Sequence, residues 1–318
     1  MPKVVYEEYE LLNGERKELV KQVGDGSIIK RFDKTPLPEK NTDVVCPHFL
    51  ELKWANGCNF DCAWCYLNGT FRFRPFKKKP YLKDEKKILQ HLDLLFRNSN
   101  GEVELLNSGE LSDSLVFEGN GFSLSGNIIP LFKKYRKHKL LIVTKSANVE
   151  GILESGAQDV VVVSFSLNAY PVAEKWERKA PHPRERIRAA KKLFDAGYTV
   201  RFRIDPMVPV EGWKEHYLHL VDEIFSNLTP ERITLGSLRG LQSTINNCRD
   251  ASWTKYLTET SNWGKKIDHA TRLKMYRTVI GYLKESYGFE NVALCKETVA
   301  IWNDLGMDYR RMRCNCVI

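Results

Sequence analysis

Cys58-Asn59-Phe60-Asp61-Cys62-Ala63-Trp64-Cys65-Tyr66 sets three cysteines at spacings of four and three in a turn-forming segment. Thiolates are soft ligands for iron or zinc, and three in so short a loop can grip one metal centre without help from elsewhere. A fourth ligand is missing locally. An iron–sulfur cube held by three thiolates keeps one iron open to a small molecule, whereas a zinc knuckle uses the same thiols for structure alone. Spacing by itself leaves both readings open.

What precedes the loop tells where it sits. Residues 49–54 alternate apolar and polar as a strand does, and Asn56-Gly57 ends that strand directly before Cys58. Downstream, strand signals at 103–106, 140–143, 160–165, 200–204 and 233–235 alternate with helical periodicity at 88–96, 128–135, 149–154, 184–196 and 216–225. Six βα steps predict a parallel sheet with right-handed crossovers, a fold in which chemistry collects at the C-terminal strand ends. The expected class is α/β, a partial (β/α)6 TIM-like barrel over 46–238. Residues 1–45, interrupted by Pro36 and Pro38, read as an N-terminal extension. Residues 239–318, with a long amphipathic helix at 271–286 and a short apolar run at 292–295, read as a C-terminal appendage closing the barrel.

At 318 residues the chain can bury a substantial core. It has no run of about 18 apolar residues, and its first residues lack the apolar centre of a signal peptide, so a cytoplasmic protein without a membrane partner is expected. Eight cysteines in that setting favour reduced thiols and metal ligation over disulfides. A net charge of +9 suits a polyanionic partner such as nucleic acid, and equally a merely solvated basic face. The stretch Phe71-Arg72-Phe73-Arg74-Pro75-Phe76-Lys77-Lys78-Lys79 mixes rings with positive charge, as a base-stacking surface does, or as a flexible basic lid would. Arg201 and Arg203 alternate along one strand, share a face, and could reach an anionic substrate inside the barrel.

The order of motifs over 46–238 resembles the spore photoproduct lyase family of the radical S-adenosylmethionine (radical SAM) superfamily. The cluster loop is followed by Asn107-Ser108-Gly109-Glu110, Thr144-Lys145-Ser146 and Ser164-Phe165-Ser166-Leu167-Asn168, each at a predicted strand's C-terminal end. The resemblance implies a [4Fe–4S] cluster on Cys58, Cys62 and Cys65, S-adenosylmethionine bound at the open iron, and release of a 5′-deoxyadenosyl radical that abstracts hydrogen from substrate. It implies that Gly109 and Glu110 meet the methionine ammonium, that Lys145, Ser166 and Asn168 belong to the cofactor pocket, and that Trp64 or Tyr66 stacks near the adenine. It further implies an external one-electron reductant of the flavodoxin or ferredoxin type.

One departure bears on the substrate. The repair lyases of this family carry, in the segment matching 107–113, a cysteine that returns a hydrogen atom to the product radical, and Gly109-Glu110-Leu111-Ser112-Asp113 has none. The expectation is therefore a radical SAM enzyme with an undetermined substrate, nucleic acid being the candidate. Repair of thymine lesions in DNA is the alternative, and a zinc-stabilised nucleic-acid-binding module without catalysis is the second. Of the other cysteines, Cys295, Cys314 and Cys316, completed by Cys248, could ligate an auxiliary iron–sulfur cluster or simply remain reduced thiols.

Overall fold

The computed structural model describes residues 2–99, 101–311 and 313–318. Ten strands make one sheet in which spatial order follows chain order. They are β1 (Val4–Glu10), β2 (Arg16–Val23), β3 (Ile29–Phe32), β4 (Phe49–Leu52), β5 (Leu105–Asn107), β6 (Lys139–Thr144), β7 (Val161–Leu167), β8 (Thr199–Met207), β9 (Arg232–Ser237) and β10 (Val292–Leu294). From β4 to β10 every neighbouring pair is parallel. The crossovers carry helices α1 (Glu85–Asn98), α2 (Ile129–Tyr135), α3 (Glu150–Ser155), α4 (Pro183–Asp195), α5 (Trp213–Phe225) and α6 (His269–Tyr287). Six βα units in a parallel sheet are the partial barrel expected of the alternating pattern.

The central strands show why the sequence folds this way. Every residue of β7 is buried, as a strand covered on both faces requires. On β8 the residues alternate in chemistry. Val200, Phe202 and Ile204 join the hydrophobic core, while Arg201, Arg203 and Asp205 lie on the opposite, inner face. Helix α4 starts where Pro183 follows His182, whose side chain and Glu185 form a reciprocal capping box.

Two regions acquire roles that periodicity did not indicate. Residues 4–32 extend the sheet as an antiparallel run, β3 pairing with β4 through Ile29 to Leu52 and Phe32 to Phe49. Residues 292–294 pair with β9, Ile233 opposite Val292, and become a seventh parallel strand. Three residues are too few to show a strand period, and only the exposed edge of β9 selects them. A short antiparallel ladder of Glu297–Thr298 with Val44–Val45 then ties the chain leaving β10 to the chain entering β4. Among the described residues no helix is long and apolar enough to cross a membrane.

Candidate active site

The cluster loop follows β4 and is held on three sides. Gly57 donates to Leu111 O (2.7 Å) and Cys58 N to Lys78 O (2.8 Å). Asp61 and Cys62 pair with Arg178 and Glu177, and Ala63 N reaches Trp176 O at 2.8 Å. Gly57 has a φ of +88°, and a Cβ there would stand 2.5 Å from Lys78 O, so glycine is needed for conformation and for space alike. Trp64 packs on Trp176 with ring centroids 5.8 Å apart.

Cys58, Cys62 and Cys65 all line one cavity of about 340 Å³, within the range of small-molecule sites. Burial pushes the Cys62 thiol up to about 12 and raises Cys58 as well. Thiols whose ionisation is this unfavourable in the bare protein are stabilised as thiolates by a bound cation. Among the described residues no three His, Cys, Asp or Glu side chains converge tightly enough for a single ion. A cube presents each thiolate to a different iron and therefore suits thiols spread along one wall, so the donor set fits a three-cysteine cluster.

The neighbouring strand ends complete the cavity. Glu110 and Gly109 line it after β5, and Asn107 orders them, its Nδ2 donating to Glu110 Oε1 (3.0 Å) and its Oδ1 accepting from Gly109 N (2.9 Å). A Cβ on Gly109 would lie 2.6 Å from Val143 Cβ, which fixes the close approach of this turn to β6. Lys145 lines the cavity after β6 and pairs with the wholly buried Glu177 at 3.4 Å. Burial opposes the charge, but Glu177 holds the Lys145 ammonium above its ordinary value. Ser166, Trp64 and Tyr66 are also on the lining.

Asn168 is not, contrary to the expectation from the motif order. It is fully buried, with Nδ2 donating to Pro206 O (2.8 Å) and Oδ1 accepting from Tyr217 OH and Ala169 N (both 2.9 Å), so its amide is consumed in tying the end of β7 to β8 and α5.

The sequence named Arg203, Cys295 and Cys316 but did not join them to the cluster loop, and it gave no role to Cys46, Asp205, Arg239 or Lys296 on the opposite wall. Cys46, Cys295 and Cys316 line the same cavity, with Arg203, Asp205, Arg239 and Lys296. Arg203 Nη2 donates to Cys316 Sγ at 3.0 Å, and Asn107 Nδ2 approaches the same sulfur at 3.8 Å. The neighbouring Cys314 thiol and the Arg203 guanidinium, working against burial, hold Cys316 below the ordinary thiol range. Asp205 takes a bidentate contact from Arg239 (2.8 and 2.9 Å), and Arg239 reaches Cys295 Sγ at 3.5 Å. The period-two polarity that put Arg201 and Arg203 on one face continues to Asp205, and it is the signal that extends the site to this wall.

Residues 314–317 are seated inside the barrel. Asn315 is fully buried, accepts from Thr234 Oγ1 (2.8 Å) and donates to Ser164 Oγ (2.8 Å) and Phe202 O (2.9 Å). Arg201 Nη1 holds the carbonyls of Asn315 (2.9 Å) and Val317 (2.8 Å). Arg201 therefore clasps this segment while Arg203, two residues on, faces the cavity. The grouping of Cys248 with Cys295, Cys314 and Cys316 is not realised, since Cys248 is off the lining and its thiol donates to Ile245 O at 3.2 Å. Cys46, assigned no role by the sequence, stands on that wall instead.

Comparison with known proteins agrees with this arrangement. The family model described as spore photoproduct lyase matches residues 49–238, more than half of the chain. The chain is similar to the spore photoproduct lyase of Bacillus subtilis (strain 168), 29% identical over 173 residues, which cover 54% of this chain and 50% of that protein. It is 25% identical over 181 residues to the spore photoproduct lyase of Geobacillus sp. (strain Y412MC61), covering 55% and 50%. It thus spans about half the length of the curated relatives it matches. Among solved structures, a spore photoproduct lyase variant with bound AdoMet and dinucleoside spore photoproduct superposes with a TM-score of 0.64 at 19% identity, over 82% of this chain and 78% of that one. That likeness establishes the fold. With the fold, the three-cysteine loop and the family match in agreement, the chain belongs to the spore photoproduct lyase family of radical SAM proteins.

Proposed function

We propose that the protein is a radical SAM lyase that restores thymines from a spore-photoproduct type of lesion in DNA. The observation that carries this reading is the cavity itself, which has cluster-loop thiols on one wall and an arginine-held thiol, Cys316, on the other. The missing cysteine in 107–113 favoured an undetermined substrate. That argument weakens once Cys316 supplies a sulfur to the same cavity from a distant part of the chain.

Cys58, Cys62 and Cys65 would hold the [4Fe–4S] cluster, and Glu110 would accept the ammonium of S-adenosylmethionine, with Lys145 and Ser166 toward its carboxylate and Trp64 or Tyr66 toward its adenine. When bound, the two supply reductive cleavage and hydrogen-atom abstraction from substrate. The chain's own part is to position and to return. Asn107 holds both Glu110 and the neighbourhood of Cys316, and so couples the two walls. To return a hydrogen atom, the Cys316 S–H bond would break homolytically as a C–H bond forms on the product radical, leaving a thiyl radical in the Cys314–Cys316 pair. One electron from a flavodoxin- or ferredoxin-class reductant and one proton restore the pair.

The test is anaerobic reconstitution with iron and sulfide, followed by incubation with S-adenosylmethionine, a reductant and an oligonucleotide containing the spore photoproduct. Restored thymines are expected with the wild type. Cys316→Ser is expected to keep forming 5′-deoxyadenosine while thymine return falls at least about 100-fold, the lower end of what a positioned proton donor contributes. A brown, cofactor-cleaving protein that leaves the lesion intact overturns the substrate reading. A colourless zinc protein overturns the enzyme reading.

A further inference from the structure

We propose that residues 66–81 form a nucleic-acid docking surface at the rim of the cavity, on which Phe73 and Phe76 stack unpaired bases while Arg72, Lys77 and Lys79 neutralise adjoining phosphates. Its role rests on the nucleic-acid substrate reading above, although its test does not.

Large exposed hydrophobic side chains are unevenly spread over this protein. Tyr66 (39% exposed), Phe73 (84%), Phe76 (73%) and Tyr81 (43%) are half of those found among the described residues, and all come from this one segment. Single exposed rings are ordinary, but four within sixteen residues beside a cavity mark an interaction surface. The segment from Tyr66 to Lys83 contains six lysines and arginines and no acidic residue. Among the described residues no carboxylate pairs with Arg72, Lys77 or Lys79. Arg72 lies 4.2 Å from the Phe73 centroid and Lys79 lies 5.9 Å from that of Phe76, so each ring carries a cation close by and still presents open area. Rings interleaved with unpaired cations are the composition that binds single strands without sequence readout.

The surface is fixed rather than loose. Turn hydrogen bonds join Arg74 N to Phe71 O (3.0 Å), Lys77 N to Arg74 O (2.9 Å) and Lys79 N to Phe76 O (3.0 Å). Arg74 is sandwiched between Phe71 (4.5 Å) and Tyr81 (4.3 Å). Lys78 donates to Phe60 O (2.8 Å), pairs with Asp61 (3.3 Å) and accepts from Cys58 N (2.8 Å). The platform is therefore bolted to the cluster loop, and Tyr66, which both lines the cavity and reaches solvent, joins the two. A strand stacked on Phe73 and Phe76 would be held at a set offset from the reacting atoms, which is the positioning a buried base needs before it is drawn out.

The experiment is fluorescence anisotropy of a labelled single-stranded thymidine 20-mer titrated with the reconstituted full chain, over a series of salt concentrations. Phe73→Ala and Phe76→Ala are each expected to weaken binding roughly tenfold with the salt slope unchanged. Lys77→Ala and Lys79→Ala are each expected to lower the slope of log K against log salt by about 0.7. Cofactor cleavage without substrate serves as the folding control and stays at the wild-type rate. Ring variants that bind as the wild type does, or rings that drive binding to phosphatidylserine vesicles in place of the oligonucleotide, overturn the proposal. Ring-dependent binding without lesion repair keeps the surface and overturns the substrate reading; repair with ring-independent binding does the reverse.

Discussion

Asn315→Ala removes the peg that seats Cys314 and Cys316 inside the barrel. The wild-type amide makes three side-chain hydrogen bonds, to Thr234 (2.8 Å), Ser164 (2.8 Å) and Phe202 O (2.9 Å), and Asn315, Ser164 and Thr234 are all fully buried. Each bond is worth about 1 kcal/mol net, and buried groups left without partners add to the cost, so the substitution should destabilise the seated segment by about 3 kcal/mol. At about 1.4 kcal/mol per factor of ten, local opening becomes roughly 100-fold more frequent. The assay is labelling of Cys314 and Cys316 by a slow thiol reagent under native conditions, resolved by peptide mass spectrometry, beside a urea melt. Labelling at both positions should accelerate by about two orders of magnitude, with a smaller loss in the melt because Arg201 and Arg232 still hold the carbonyls of residues 314, 315 and 317. An acceleration below about threefold would refute the claim that Asn315 determines where these sulfurs sit.

Three further outcomes follow from the same geometry. Cys58→Ala should abolish both the brown colour and cofactor cleavage while leaving the far-ultraviolet circular dichroism unchanged, and retained iron absorbance would remove Cys58 from the ligand set. Gly109→Ala forces a Cβ to 2.6 Å from Val143, an overpacking that costs about 1–3 kcal/mol and displaces Glu110, so S-adenosylmethionine affinity by calorimetry should fall; unchanged affinity would detach Glu110 from the cofactor. Glu177→Gln leaves the Lys145 and Arg186 charges buried without a counterion, a loss of about 3–5 kcal/mol. In the wild type burial opposes ionisation, but Lys145 and then Arg186 hold the Glu177 carboxyl below its free value of 4.5. Its contribution is therefore complete above that value and is lost as pH falls through the depressed folded value, so acid unfolding should be steeper in the wild type than in Glu177→Gln. Parallel acid limbs would show that Glu177 is not ionised in the folded protein.

The alternating pattern carried the barrel because each βα unit is written locally: strands long enough to show their period, helices with caps, and glycine where the chain must turn. The same holds for one wall of the site. Cys58, Cys62 and Cys65 are neighbours in sequence, and Gly109, Glu110, Lys145 and Ser166 each follow a legible strand, so parallel topology alone brings them to one end. Asn168 obeyed the same rule and still fell elsewhere, because which way an amide turns at a strand end depends on whether Pro206 O and Tyr217 OH are there to bind it.

The other wall had one local signal, the alternation of Arg201 and Arg203 along β8, and its sulfurs had none. Cys316 reaches the cavity only because Asn315 finds Ser164, Phe202 and Thr234 inside the barrel, partners more than 80 positions away. The strand at 292–294 exists only because β9 offers it an edge. The sequence by itself determined the parallel sheet, the cluster loop and the strand-end residues, since hydrophobic period and short-range spacing encode them. Tertiary structure alone decided which distant sulfurs and cations face that loop, because long-range hydrogen bonds between buried polar groups leave no periodic trace in the chain.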